Sequence, residues 1–344
     1  MSTKEIKVLF LCKKRLNEYG NSVGLVNSAQ FIANYLNAHN IPSKVITVHD
    51  ANGIDKEVHQ YKPTHVVLHA IWVTAEKIDV LTKKYPAVKW QVRIHSKIPF
   101  LAHEGIAIEW IKKYQKLMLD RNNLDITFNS KEPIESFERA IRLNSIYLPN
   151  IYEINEVSQN CQKDNYNIHI GCFGAIRPFK NHVIQAMAAM AFGNETGKSI
   201  SFHINAGRVE QNGESILKNL QNLFKHTPHT LVEHPWMDQK KFLELARNMD
   251  IGMQVSLSET YNIVTADMLS QGVLSVVSPE ISWVPFFMQV DPQDMDSMVR
   301  KLKLLYYMPK FVYSLVYKLC KFCLWYSNKR DGKIWIKYLA TKDV

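Results

Sequence analysis

Short apolar runs alternate with segments of helical period along most of this chain, and that alternation leaves few folds open. Ile6 to Cys12 (IKVLFLC) is a continuous apolar run of the kind that makes a buried strand. After a turn rich in Gly and Asn come Leu25, Ala29, Ile32 and Leu36 at helical spacing. The same beat predicts strands at Lys44 to Val48, Thr64 to Ala70, Trp90 to His95 and Asp125 to Phe128, with helical patterns after most of them. Parallel neighbours need a crossover, and the intervening helix supplies it. The first half therefore reads as a doubly wound parallel sheet covered on both faces.

At Leu148-Pro149-Asn150 the rhythm breaks, and the polar stretch Glu153 to Asn167 reads as a connection between domains. A second series follows. Strands are predicted at Ile168 to Phe173, Ser201 to Asn205, Thr230 to Glu233, Ile251 to Val255 and Val273 to Val277. Helices are predicted at Asn181 to Ala191, Glu214 to Phe224, Gln239 to Arg247 and Val264 to Ser270. A length of 344 residues suits two such domains. The expectation is α/β, two Rossmann-like doubly wound domains, 1–152 and 153–310, facing each other across a cleft.

Hydrophobic residues at 46% and charged ones at 22% exclude a disordered, collagenous or coiled-coil chain. The start, MSTKEIKVLFLCKKR, lacks the apolar length and small-residue cleavage site of a secretory signal, so a cytoplasmic location is expected. Five scattered Cys, an odd number, read as reduced thiols. No segment approaches the ~20 apolar residues of a spanning helix; the nearest, Phe311 to Trp325, is interrupted by Lys318 and Lys321. The formal charge of +10 calls for an anionic partner, whether nucleic acid, a membrane surface or a phosphorylated substrate.

Two segments of the second domain carry the candidate chemistry. Gly171-Cys172-Phe173-Gly174-Ala175-Ile176-Arg177-Pro178-Phe179-Lys180-Asn181-His182 runs off the first strand into a helix. Arg177 and Lys180 sit on that turn beside a helix N-terminus, where cations, backbone donors and dipole together favour a phosphate. The second segment, Ser256 to Asp267, places Glu259 at a strand end and Asp267 eight positions later. Both carboxylates can face a cleft and accept hydrogen bonds from sugar hydroxyls, and backbone amides after Glu259 can cradle a phosphate. Taken singly, each feature is also what a solvated turn or a helix-start acid looks like.

Taken together, the two segments resemble the retaining GT-B glycosyltransferases that use nucleotide-sugar donors. Those enzymes open the second domain with strand-Gly-Arg-x-x-x-Lys and follow with Glu-x7-Glu, a small residue, Gly and a Val-rich strand. Here the segments are GCFGAIRPFKN, then ETYNIVTAD and MLSQGVLSVVS. Leu148-Pro149-Asn150 resembles the interdomain Pro-Asn step, and Met249-Asp250-Ile251 the strand before the carboxylates. The resemblance implies a nucleotide-sugar donor, a UDP-sugar, with no metal. It implies that Arg177 and Lys180 hold the diphosphate and neutralise the leaving group, with Gly174, Thr260, Tyr261, Asn262 and Ile263 lining the donor site. Glu259 contacts the sugar, and Asp267 takes the position that hydrogen-bonds the ribose. Asp267 departs from the pattern by one methylene, and Thr260 to Ile263 replace the usual Gly and aromatic. His95, at a strand end of the first domain, occupies a place like that of the family's active-site His. The C-terminal helices, 311–344, are expected to pack back on the first domain, as such tails do in the family.

Several other motifs fail on context. Gly193 to Ser199 looks like a Walker loop, but its glycines are one residue too close and it precedes a strand. Asp294-Met295-Asp296 matches a metal-binding DxD yet opens a helical pattern, and Cys320/Cys323 lacks a second pair for zinc.

The acceptor side is read from charge. Lys13-Lys14-Arg15 follows the first strand, with Gly20 and Asn21 in the turn beyond, and Lys83-Lys84 and Lys112-Lys113 lie on helical patterns. A polyanionic acceptor would meet such cations through its phosphates. The leading expectation is transfer to a hydroxylated, hydroxymethyl-type base in double-stranded DNA, as some phage GT-B enzymes do, in the host cytoplasm if phage-encoded. The first alternative is a transferase of surface polysaccharide or glycolipid, whose aromatic tail (Tyr306, Tyr307, Phe311, Trp325) makes peripheral contact with an anionic membrane. The second is a catalytically silent protein that binds a sugar nucleotide or nucleic acid.

Overall fold

Alternate residues of β1 (Val8–Lys13) serve two different cores, because successive side chains of a strand point to opposite faces. Leu9 and Leu11 join one apolar cluster with Val66, Leu68 and Val92. Val8 and Phe10 join another with Val67, Ala29, Ile32 and Trp335. A strand buried on both faces must read as a continuous apolar run, which IKVLFLC does. The structure is a computed structural model describing residues 5–14, 23–154 and 166–341.

Two compact units make up the chain: Met1–Glu153 with Ser327–Val344, and Ile154–Tyr326. In the first, α1 (Val23–Ala38), β2 (Ser43–Val48), α2 (Gly53–Tyr61), β3 (His65–His69), α3 (Ala75–Lys84) and β4 (Lys89–Ile94) alternate strictly. They are followed by α4 (Ile98–His103), α5 (Ala107–Asp120), β5 (Leu124–Phe128), α6 (Lys131–Ile141) and β6 (Ile146–Tyr147). The sheet order is β2-β1-β3-β4-β5-β6, and every pairing is parallel. The two-residue β6 was not predicted; it is too short to show a period.

The second unit contains β7 (Asn167–Gly171), α7 (His182–Thr196), β8 (Ser199–Ile204), α8 (Glu214–Phe224) and β9 (Thr230–Glu233). After them come α9 (Gln239–Arg247), β10 (Ile251–Gln254), α10 (Ile263–Ser270), β11 (Ser275–Val277) and α11 (Met295–Tyr306). Its sheet is also all parallel, in the order β11-β10-β7-β8-β9. The chain winds outward from β7 through β8 to β9, then returns to β7's other side as β10. The order reverses between β7 and β10, so the loops after these neighbours diverge and leave a crevice at their carboxyl ends.

One helix, α12 (Lys310–Ala340), runs the length expected for several terminal helices. Its residues up to Tyr326 belong to the second unit and those from Ser327 to the first. Trp335 is fully buried in the first unit, where its indole N–H donates to the Pro149 carbonyl at 2.8 Å. Among the described residues no helix is long and apolar enough to cross a membrane.

The motifs set aside on context have ordinary structural roles. Asp294 caps α11 by accepting from the Ser297 amide. Gly197, at φ 65°, ends α7 just before β8. Cys320 is buried on α12, and Cys161 lies outside the described residues.

Candidate active site of the second unit

The centre of this site hangs from the loops after β7 and β10. Gly174, three residues beyond β7, has φ 115°, a conformation open to Gly and strained for other residues. Its amide donates to Asn205 Oδ1 at 2.9 Å, and a Cβ there would sit 3.5 Å from Lys180 Cε. From Ala175 the chain runs extended through Arg177, then makes a 3-10 turn over Pro178–Lys180 that Pro favours at its start. Asn181 closes the turn in the left-handed region, at φ 59°. Its side-chain amide donates to the carbonyls of Val255 and Pro292. Gln185 locks the same junction, donating to the Lys180 carbonyl at 2.7 Å and accepting from the Val255 amide at 2.8 Å. The Leu257 amide donates to the Phe179 carbonyl. The cationic turn and the acidic loop are thus one hydrogen-bonded body.

Asn262, at φ 60°, ends the acidic loop and caps α10: its Oδ1 accepts from the Thr265 amide at 2.9 Å and its Nδ2 donates to Gln254 Oε1. Gln254 in turn donates to the Phe173 carbonyl, so Asn262 acts through the backbone that it fixes. Trp283 donates its indole N–H to the Tyr261 carbonyl, and the buried Tyr261 ring lies 5.9 Å from that indole. Thr260 is half-buried ahead of Tyr261, and Ile263 is the first residue of α10. Asp267 is buried a turn further along, with Oδ1 accepting from Gln239 Nε2 at 3.4 Å.

The charged groups converge. Lys180 Nζ lies 2.9 Å from Glu259 Oε1, and Arg177 reaches the same oxygen at 3.6 Å. Arg177 also lies 3.9 Å from Glu210, whose carboxylate takes two hydrogen bonds from Arg208. Arg208 stacks its guanidinium over Trp236 at 4.7 Å. The Glu259 amide donates to Glu280 at 3.1 Å. His182, fully buried behind the cations, is held neutral, its pKa pushed down to about 3 by burial and then by the charges of Lys180 and Arg177. Two mobile-length cations balanced by carboxylates form a place where an anion can exchange for a carboxylate, which is the electrostatic requirement for a diphosphate.

Of the residues singled out in the sequence, the structure brings Gly174, Arg177, Lys180 and Glu259 together, and it sets Asp267 on α10 against Gln239. Sequence reasoning did not single out Glu210, Arg208, Trp236 and Glu280, which lie on loops without periodicity, or Gln239, the first residue of α9. His95 belongs to the first unit, at the end of β4, with its ring 4.1 Å from that of His69 and its nitrogens within reach of Arg93. Burial, together with His69 and Arg93, holds its pKa well below the ordinary histidine value. Lys13 ends β1 and Lys14 follows it, both exposed, whereas Arg15, Gly20 and Asn21 lie outside the described residues. The helical basic residues are largely answered within their own unit. Lys83 pairs with Asp79 at 2.6 Å, Lys84 with Asp55 at 2.8 Å and Lys113 with Glu109 at 2.7 Å. Among the described residues no group of three or more His, Cys, Asp or Glu is set to hold a metal.

No protein-family model matches the chain, and no curated protein matches it in sequence. Solved structures do match along nearly its whole length. A UDP-forming α,α-trehalose-phosphate synthase from Burkholderia xenovorans superposes with TM-score 0.66 at 11% identity, covering 98% of this chain and 99% of that one. A glycosyltransferase from Rickettsia africae gives 0.63 at 13% identity, with 98% of each chain covered. An E. coli trehalose-6-phosphate structure bound with UDP-2-fluoro glucose gives 0.67 at 10%, covering 97% and 98%. The fold is that of the GT-B glycosyltransferases, two Rossmann-like parallel-sheet domains in tandem.

Proposed function

We propose that the chain is a glycosyltransferase that moves a sugar from a nucleotide diphosphate, a UDP-sugar, to an acceptor hydroxyl with retention of anomeric configuration. The observation that carries the reading is the meeting of Lys180, Arg177 and Glu259 at the reversal point between β7 and β10. Lys180 and Arg177 take the diphosphate in place of their carboxylate partners and offset the charge that grows on it as the glycosidic bond breaks. Glu259, released from that pairing, accepts hydrogen bonds from the donor sugar, and Asp267 takes the ribose. The acceptor hydroxyl attacks from the face that the diphosphate leaves, and its proton passes to the departing phosphate oxygen. The fold neighbours' use of UDP and UDP-sugar analogues supports the choice of donor.

For the acceptor, the +10 charge and the exposed Lys13 and Lys14 support a hydroxylated base in duplex DNA, modified in the cytoplasm. A second reading, a saccharide or lipid acceptor at an anionic membrane, is favoured by the carboxylates that already pair Lys83, Lys84 and Lys113. The deciding experiment incubates the protein with a panel of nucleotide sugars and hydroxymethylated DNA, unmodified DNA or lipid-linked saccharides, and weighs the products. A DNA mass increment of one sugar supports the first acceptor, and a lipid product supports the second. No turnover with any donor, or an inverted anomeric centre, sinks the transfer mechanism.

A further inference from the structure

The first half of α12 presents an apolar face to the outside. Phe311, Leu315, Leu319, Phe322, Trp325 and Tyr326 are each 45–70% exposed. At about 100° per residue, all but Trp325 fall within an arc of about 80°. Phe322 lies 5.7 Å from the Trp325 ring and 6.3 Å from that of Tyr326, so the stripe is continuous there. The opposite face anchors the helix to its own unit. Tyr317, Cys320 and Leu324 are buried, and the Tyr313 hydroxyl donates to the Gly272 carbonyl and accepts from the Leu274 amide. Leu304 of α11 and Tyr307 just after it, 53% and 64% exposed, precede the stripe in the chain.

Charge selects the occupant. Lys310, Lys318 and Lys321 share one flank of the stripe, and no Asp or Glu occurs between Lys310 and Arg330. A symmetric contact with a second copy would set these lysines against their equivalents with no carboxylate to answer them. A nucleic acid would satisfy the lysines and leave the aromatic stripe in water. An anionic bilayer answers both: headgroups take the ammonium groups, and the upper acyl region takes the apolar side chains. We propose that residues 311–326 of α12 form a monotopic docking face that lays the second unit on an anionic lipid surface. The helix lies in the interface without crossing it. Attachment does not rest on the donor-site reading, because it is measured with no nucleotide sugar present.

The test is flotation of the full chain with vesicles of phosphatidylglycerol in phosphatidylcholine, and with phosphatidylcholine alone. The wild type should float with the anionic vesicles and bind the neutral ones at least about tenfold less. Leu315→Gln with Phe322→Gln should lower binding by about tenfold or more. Both side chains are exposed, so circular dichroism should not change. Should that variant misfold, Lys318→Gln with Lys321→Gln decides, and should also lose about tenfold, while Lys112→Gln with Lys116→Gln on α5, an equal loss of charge, should bind as the wild type. Absence of flotation overturns the proposal, as does equal flotation of the stripe variants. So does self-association without vesicles that Leu315→Gln with Phe322→Gln abolishes, which would assign the face to a second copy.

Discussion

The Lys180 ammonium and the Glu259 carboxylate meet at 2.9 Å with both side chains only 8% exposed. Each charge is fixed through its own backbone: Gln185 holds the Lys180 carbonyl, and Glu280 holds the Glu259 amide. A buried ion pair is costly to split, because the partner left behind stays desolvated. In this one Arg177 lies 3.6 Å from the same carboxylate oxygen, so two cations share the one carboxylate and loss of either leaves it the other.

Lys180→Ala is expected to lower turnover of the nucleotide sugar by about 10²–10³-fold, the usual effect of removing one preorganised charge stabiliser. The fold should lose less than a buried pair normally costs, up to about 3 kcal/mol, since Arg177 still faces Glu259. Release of nucleoside diphosphate and urea unfolding measure the two effects separately. Wild-type turnover in the variant would remove Lys180 from the reaction.

Gly174→Ala is predicted to destabilise by about 1–2 kcal/mol through its left-handed backbone, since the added Cβ makes only ordinary contacts. Its structural consequence falls on Lys180, the neighbour of that Cβ. A lower thermal midpoint with donor affinity also reduced is the expected pair of results in melting and titration experiments.

Asn262 separates two costs that usually travel together. Asn262→Gly keeps the positive φ and loses both the cap on Thr265 and the buried bond to Gln254, so about 1 kcal/mol is expected. Asn262→Ala loses the cap and also strains the backbone, for about 2 kcal/mol or more. Equal denaturation midpoints for the two variants would show that the left-handed turn does not survive substitution.

His182 makes the fold acid-sensitive. It stays neutral in the folded chain down to a pKa of about 3, whereas an unfolded histidine takes a proton below about 6.5. The unfolded state therefore binds more protons between those values, and stability falls as pH drops from about 6.5 toward 3. His203, linked to His169 and His234 by imidazole contacts of 2.9 and 2.8 Å and also pushed down to about 3, contributes in the same window. Urea midpoints from pH 4 to 8 should fall less steeply with His182→Leu than with the wild type. An unchanged slope would show that His182 is not buried as described.

The strands and most helices were legible because a sheet buried on both faces forces apolar runs, and β7 to α10 follow that rule nearly residue for residue. Arg177, Lys180 and Glu259 stood out because the two segments that carry them together resemble one family pattern; neither segment is distinctive by itself. Glu210 and Glu280 were not, since the crossing of β8–α8 and β11 loops over the site depends on topology that no local spacing records. The single length of α12 escaped for another reason. Its inward face carries Tyr317, Leu324 and Trp335 and its outward face Phe311, Leu315 and Phe322, so apolar residues surround the helix and no single stripe marks its course.

Because α12 hands Trp335 and Leu339 to the core around Phe10, the first unit is finished by residues made after the whole of the second. Synthesis must pass through the whole of the second unit before the opening strand of the first receives its covering helix. Until then that face of the first sheet has α1 but not α12 to cover it, so the unit that is begun first is completed after the second.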